Sequence, residues 1–350
     1  MKYSKLTYYL LAVLCMMATS CVTDGVMDEC PDSSKNQQMV KDARVSLVLN
    51  FAINSSVTRA GEIDGSTTEG EINERKIKDV HIYAFQGGKF KEEVQYVSIF
   101  GTDGESTRTI QGRLNESYST SQAVKFVVVV NGESKKVVTP SLTQDKSTPD
   151  DLYTLLVFDY KSTDDWSSYI PMSGECEISP LQEGDYNIAT LSLTRAIAKV
   201  NVTVNGGNGI ENFSITEIRL RNYNTKGYCA ATKSPYIPSG VVQSTIPISS
   251  GSLDDEEMNA YENHFYIPEH QNIGVDKNKK VYLEIEAVVK GEKKNYTLEF
   301  IKDGNPHDVL RNYLYVFNIK SVKMDIDVNP TLEYEVKVWE EKTVDIPSFN

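Results

Sequence analysis

The chain has 350 residues, 40% of them hydrophobic, and a net charge of −13 that no basic stretch interrupts. That composition supports real apolar cores and, at about 100–200 residues per domain, two domains once an export signal is set aside. It argues against nucleic acid and anionic membrane surfaces as partners, because both carry the same sign of charge.

The first element is a signal. Lys2 and Lys5 precede an uncharged run, residues 6–18, and Ala18, Thr19 and Ser20 are small. A basic start, a short apolar run and a small-residue exit describe secretion. The run is about 13 residues, short of the roughly 20 that cross a bilayer. Cys21, directly after the exit, resembles the lipobox cysteine of bacterial lipoproteins, although Ala18 stands where that pattern usually has leucine. The resemblance makes Cys21 an acylated anchor to outer-membrane lipid, each buried methylene contributing about 0.8 kcal/mol. Ordinary signal-peptidase cleavage after Ser20 would leave it a plain thiol. With Cys15 lost in the signal, Cys30, Cys176 and Cys229 remain, which is no disulfide framework. A Cys176–Cys229 bridge and three unpaired thiols are both open.

Strands follow. In ARVSLVLNFAINS, Val45, Leu47, Leu49, Phe51 and Ile53 alternate with smaller or polar residues, the period of a half-buried strand. Residues 60–76, entered at Arg59, are polar and without apolar period, so an exposed loop is expected there. KDVHIYAFQGGKF reads as a strand turning at Gly87-Gly88. AVKFVVVVNG is apolar on both faces, as a central strand covered twice should be. One helix interrupts the series: Thr148 caps it, Pro149 suits its first turn, Asp150 and Asp151 favour its positive end, and Leu152, Leu155 and Leu156 form its stripe. Further strands are expected at 186–193, 198–204, 214–223, 280–290, 296–301, 313–322 and 332–338. A break near Leu193 and Thr194 divides the mature chain into two similar halves.

Catalytic constellations are not found. The four histidines, His81, His264, His270 and His307, lack metal-ligand spacing, and no CxxC, phosphate-cradling glycine loop or G-x-S-x-G elbow occurs. Acidic pairs such as Asp254-Asp255 and Glu340-Glu341 are what any acidic chain supplies. The sequence therefore points to no enzyme, no metal and no cofactor. Many of the 20 tyrosines, among them Tyr83, Tyr282, Tyr296, Tyr313, Tyr315 and Tyr334, fall on strands, where packing explains them more simply than a sugar platform does.

Several segments taken in order resemble the fimbrillin family, the lipoprotein-derived pilins of type V fimbriae of Bacteroidota. After the lipobox come DECP, VSLVLNFAINSSVTRA, VHIYAF, VKFVVVVNG, IPMSGE, LTRAIAKVNV, FYIPEH, VLRNYLYVFNI and YEVKVWEEKTVDIPSF. The similarity spans nearly the whole mature chain. No single motif is specific; their order with the lipobox carries the match.

The resemblance implies an all-β fold of two transthyretin-like Greek-key sandwiches, the short helix lying in the first. It implies a signal peptide at 1–20, a lipidated linker at 21–44, an N-terminal domain at 45–193 whose first strand, 45–59, is removable, and a C-terminal domain at 194–350. It further implies export as an outer-membrane lipoprotein, cleavage by an Arg-specific protease at Arg59–Ala60, and assembly into a cell-surface fimbrium. The groove-filling strand would carry Val45, Leu47, Leu49, Phe51 and Ile53. The donor strand would be 332–350, with Leu332, Tyr334, Val336, Val338, Val344 and Ile346. Expected partners are other copies of the chain, other fimbrial subunits and host or bacterial surface ligands. An anchor or tip subunit, or a glycan-binding surface lipoprotein, are the alternatives.

Overall fold

In a computed structural model, the structure describes residues 38–51, 71–137, 139–162, 164–184, 186–204, 213–230, 242–246, 265–302, 304–323 and 331–339. All belong to one compact unit, Gln38–Asn350. Among the described residues, sixteen longer strands and the two-residue strand Thr194–Arg195 build four sheets, accompanied by separate two-residue and three-residue pairings.

Eight strands build the first two sheets: β1 (Arg44–Asn50), β2 (Val80–Gln86), β3 (Lys89–Glu93), β4 (Gln95–Phe100), β5 (Thr107–Arg113), β6 (Val124–Val130), β7 (Met172–Ile178) and β8 (Tyr186–Ser192). One sheet runs β7-β6-β2-β3, extended beyond β7 by the Thr194–Arg195 pair, and the other β8-β1-β5-β4. Apolar residues from both meet in one core, Val45, Leu47 and Leu49 against Ile82, Phe126 and Val128. The β2–β3 hairpin turns at Gly87 and Gly88, whose φ angles of 58° and 73° are the left-handed pair that a two-residue hairpin needs.

Strand β6 is covered on both faces, as its unbroken apolar run requires. Phe126, Val128 and Val130 enter the core between the sheets, whereas Val127 and Val129 face helix α1 (Pro149–Leu155) and the segment after it. Thr148 caps α1, its hydroxyl accepting from the Asp151 amide at 3.3 Å while its own amide donates to Asp151 at 2.8 Å. The apolar stripe differs from expectation. Leu152 and Leu156 are buried, but Leu155 is 46% exposed and Tyr153 is buried in its stead. The helix has only seven residues and the chain turns at Leu156; Tyr153 reaches the sheet, where its hydroxyl donates to Glu175.

The remaining strands are β9 (Ile197–Val204), β10 (Phe213–Tyr223), β11 (Val242–Ile246), β12 (Phe265–Pro268), β13 (Tyr282–Val289), β14 (Glu292–Glu299), β15 (Leu314–Lys323) and β16 (Thr331–Trp339). They form a second pair of sheets, β12-β9-β15-β16 and β11-β10-β13-β14. Val200, Val202, Phe317 and Ile319 pack there against Ile218, Leu220, Leu283 and Ile285. The two pairs share a pattern: β1 runs parallel to β8, and β9 runs parallel to β15.

One further expectation is corrected, and one alternative left open by the sequence is decided. The loop expected over 60–76 is not all exposed, since Ile72–Arg75 forms a 3-10 turn with Glu74 only 3% exposed. Cys176 and Cys229 form no bridge. Burial lifts both thiols to about 12, so neither is a ready nucleophile.

Candidate functional site

The first strand is built into the sheet as an interior strand. β1 pairs with β5 antiparallel, Arg44 to Asn50 against Arg113 to Thr107, and with β8 parallel, Arg44 to Asn50 against Tyr186 to Ser192. Its ends are tied as well: Leu114 donates to the Ala43 carbonyl, Phe51 to Ser106 and Leu193 to Asn50, each at 2.9 Å. Val45, Leu47, Leu49 and Phe51 are fully or almost fully buried. At about 1.5–3 kcal/mol per side chain, these four contribute about 6–12 kcal/mol, comparable with the whole net stability of a domain, about 5–15 kcal/mol.

The outer face of this strand is different in kind. Ser46, only 7% exposed, and the half-buried Val48 and Asn50 alternate with the core set, and Arg44 lies directly opposite Arg113 of β5. Two like charges across a ladder repel. Asp42 relieves this one, accepting from Arg113 at 2.9 Å on the exposed rim.

A second set of residues joins the two pairs of sheets. The carboxylate of Glu74 accepts from Tyr266 of β12 at 2.6 Å and from Lys199 of β9 at 2.8 Å, and Lys199 reaches Glu71 at 2.7 Å. Burial alone would raise the Glu74 pKa; Arg195, Lys199 and the Tyr266 hydroxyl outweigh it and hold the carboxyl below its usual value. Buried Arg311 donates to Glu269 at 2.6 Å and to the Cys229 carbonyl at 3.2 Å, which also accepts from Ser173 of β7 at 3.1 Å. Asn131, at the end of β6, donates to the carbonyls of Lys76 at 2.8 Å and Ile170 at 2.9 Å. Gly174 is required where β7 crosses the end of β8, because a Cβ there would stand 2.3 Å from the Ser192 carbonyl.

The quoted motifs thus meet in one place. IPMSGE, LTRAIAKVNV, FYIPEH and VLRNYLYVFNI supply Ser173 and Gly174, Arg195 and Lys199, Tyr266 and Glu269, and Arg311. Glu74 and Asn131 were not singled out by the sequence, since a carboxylate in a polar loop and an asparagine after a valine run carry no periodic signal. Cys21, Ile53, Arg59, Ala60, Val344 and Ile346 lie outside the described residues. Leu332, Tyr334, Val336 and Val338 fall on β16, which pairs with β15 at the edge of its own sheet. His81 on β2 is bonded to Glu93 at 2.6 Å, and that hydrogen bond chiefly raises its pKa. Among the described residues, no group of three or more His, Cys, Asp or Glu is arranged to hold a metal ion.

Solved structures share this architecture. A proposed cell adhesion protein from Parabacteroides distasonis matches at a TM-score of 0.54 and 16% identity, over 87% of this chain and 98% of that one. A second, from Bacteroides eggerthii, matches at 0.53 and 17%, again over 87% and 98%. The fimbrial anchor protein Mfa2 from Porphyromonas gingivalis is more distant, at a TM-score of 0.44 and 11% identity over 86% of this chain and 100% of that one, and adds no weight. No curated protein sequence matches. The fold is therefore an all-β one built from packed sheets, with one α-helix among the described residues. Residues 27–345 match the family model described as "Fimbrillin-A associated anchor proteins Mfa1 and Mfa2", and the chain belongs to that family. It is a fimbrial structural protein, and its setting is the cell-surface fimbria.

Proposed function

We propose that the chain is a shaft subunit of the fimbria, exported as a lipoprotein acylated on Cys21 and assembled by strand exchange. In this reading an Arg-specific protease cuts at Arg59–Ala60, and β1 leaves with the lipidated piece. A neighbouring subunit's tail then fills the groove, with Leu332, Tyr334, Val336 and Val338 and, beyond them, Val344 and Ile346.

The observation that carries the proposal is the interior position of β1. Its removal breaks two backbone ladders at once and uncovers an apolar trough, which is a template for strand addition. β16 supports the donor role in a complementary way: among the described residues it pairs with β15 alone, so it comes free by breaking one ladder. A second reading, an anchor subunit, is favoured by the family's description and by the pairing of β16 within its own sheet. An anchor would keep both its lipid and β1.

N-terminal sequencing of the surface-assembled form separates the two. A start at Ala60 supports the shaft; a blocked, acylated Cys21 supports the anchor. An unacylated start at Cys21 in assembled fimbriae would overturn both.

A further inference from the structure

The geometry points to Arg113 as the residue that decides which way round an incoming strand lies in the groove, by pairing with a carboxylate on that strand's outer face. This rests on the strand-exchange reading above.

Neither backbone nor apolar residues can make the choice. β1 is parallel to β8 and antiparallel to β5, so a replacement running either way keeps one parallel and one antiparallel ladder. Leu332, Tyr334, Val336 and Val338 can fill the sites of Val45, Leu47, Leu49 and Phe51 in either order. In either order Tyr334 takes a leucine's site.

The residues between them do distinguish the two. Laid in the direction of β1, the tail puts Glu333 in the place of Ser46 and Lys337 in the place of Asn50. Reversed, it exchanges them, and Glu335 takes the place of Val48 both ways. Ser46 pairs with Gln111, so its diagonal neighbours on β5 are Thr109 and Arg113, of which only Arg113 is charged, at a spacing that long side chains bridge. On the other side its neighbours are Tyr186, Ile188 and Thr190, none of them charged. The forward strand therefore offers Arg113 a glutamate, and the reversed strand offers it a lysine.

Processing prepares this site. In the intact chain Arg113 is held by Asp42 and stands opposite Arg44. Both residues precede Arg59 and leave with β1, which removes the Asp42 carboxylate from Arg113. Arg113 is 50% exposed, so its preference is modest and screened by salt.

The test uses the full chain, cut by an Arg-specific protease, with elongation followed by light scattering and electron microscopy. Because either direction fits the groove, Arg113→Glu should invert the preferred strand direction at low salt by about 2- to 5-fold, with Arg113→Gln between it and the wild type. Adding Glu333→Lys to Arg113→Glu should restore the forward direction, and all differences should vanish in high salt. Polarity is read from intersubunit disulfides. Thr107→Cys with Lys337→Cys should give a covalent ladder, because Thr107 lies opposite Asn50; Thr107→Cys with Glu333→Cys should not. An Arg113→Glu chain that still cross-links only through Thr107→Cys with Lys337→Cys, or a ladder from the second cysteine pair with Arg113 intact, would overturn the role of Arg113 while leaving strand exchange standing. A wild-type chain that starts at Ala60 yet forms no filaments would overturn both.

Discussion

At the scale of single residues, Glu74 is the strongest constraint. It is a buried carboxylate bonded to two side chains from the second pair of sheets. Replacing it by glutamine keeps the shape and removes the charge that Lys199 and Arg195 face. A fully buried pair costs about 3–5 kcal/mol to break. Lys199 keeps some contact with water, so the expected loss is about 2–3 kcal/mol, measurable by urea denaturation at pH 7. The pH dependence has a definite sign. A carboxyl whose folded pKa lies below 4.5 contributes stability above that value and loses it as pH falls through the folded pKa. Wild-type stability should therefore fall more steeply than that of Glu74→Gln on acidification below about pH 4.5. Equal slopes would mean that folding does not lower the Glu74 pKa. Gly174→Ala should also destabilise, because the obstructing atom is a backbone carbonyl that cannot swing aside.

At the scale of elements, β1 and α1 differ in what holds them. β1 is held by burial: Leu47→Ala leaves a cavity in the core between the sheets and should cost about 2–5 kcal/mol. Val48→Ala, on the outer face of the same strand, should cost under about 1 kcal/mol, and the contrast between the two melts checks that the strand's inner face carries the energy. The helix, at seven residues, is too short to stand on propensity, so its cap matters. Thr148→Ala removes the hydroxyl that accepts from the Asp151 amide and should cost about 1 kcal/mol. β2, β6 and α1 were legible in the sequence because each carries a strong local pattern: a hairpin glycine pair, an unbroken apolar run, a cap before a proline. The inward turn of Tyr153 and the exposure of Leu155 were not, since stripe arithmetic assumes a helix longer than two turns.

At the scale of the whole molecule, the expectations concern assembly. Arg59→Ala removes the side chain that an Arg-specific protease reads, so this protein should stay a folded monomer and form no fibres by electron microscopy. Fibres from it would count against exchange after cleavage. Deleting 332–350 should likewise stop elongation. Because β16 pairs with β15 in its own sheet, the uncleaved truncated protein should also melt lower than the full chain. A loss confined to one edge ladder agrees with a strand that can be given away; failure to fold at all would mark β16 as integral to its sheet and count against the donor role.

The sequence by itself determined the all-β class, most strand positions, the buried set Val45, Leu47, Leu49 and Phe51, and the ordered motifs that carry the family match. These follow from local periodicity and residue chemistry, which neighbours along the chain already express. Only the tertiary structure decided that β1 is an interior strand, parallel to β8 across more than a hundred residues of intervening chain. It alone set Arg44 against Arg113 and brought Glu74 to Tyr266 and Lys199. Pairing partners and the solvation of a charge are properties of what the chain folds against. A carboxylate in a polar loop reads the same in sequence whether water or a tyrosine hydroxyl finally surrounds it.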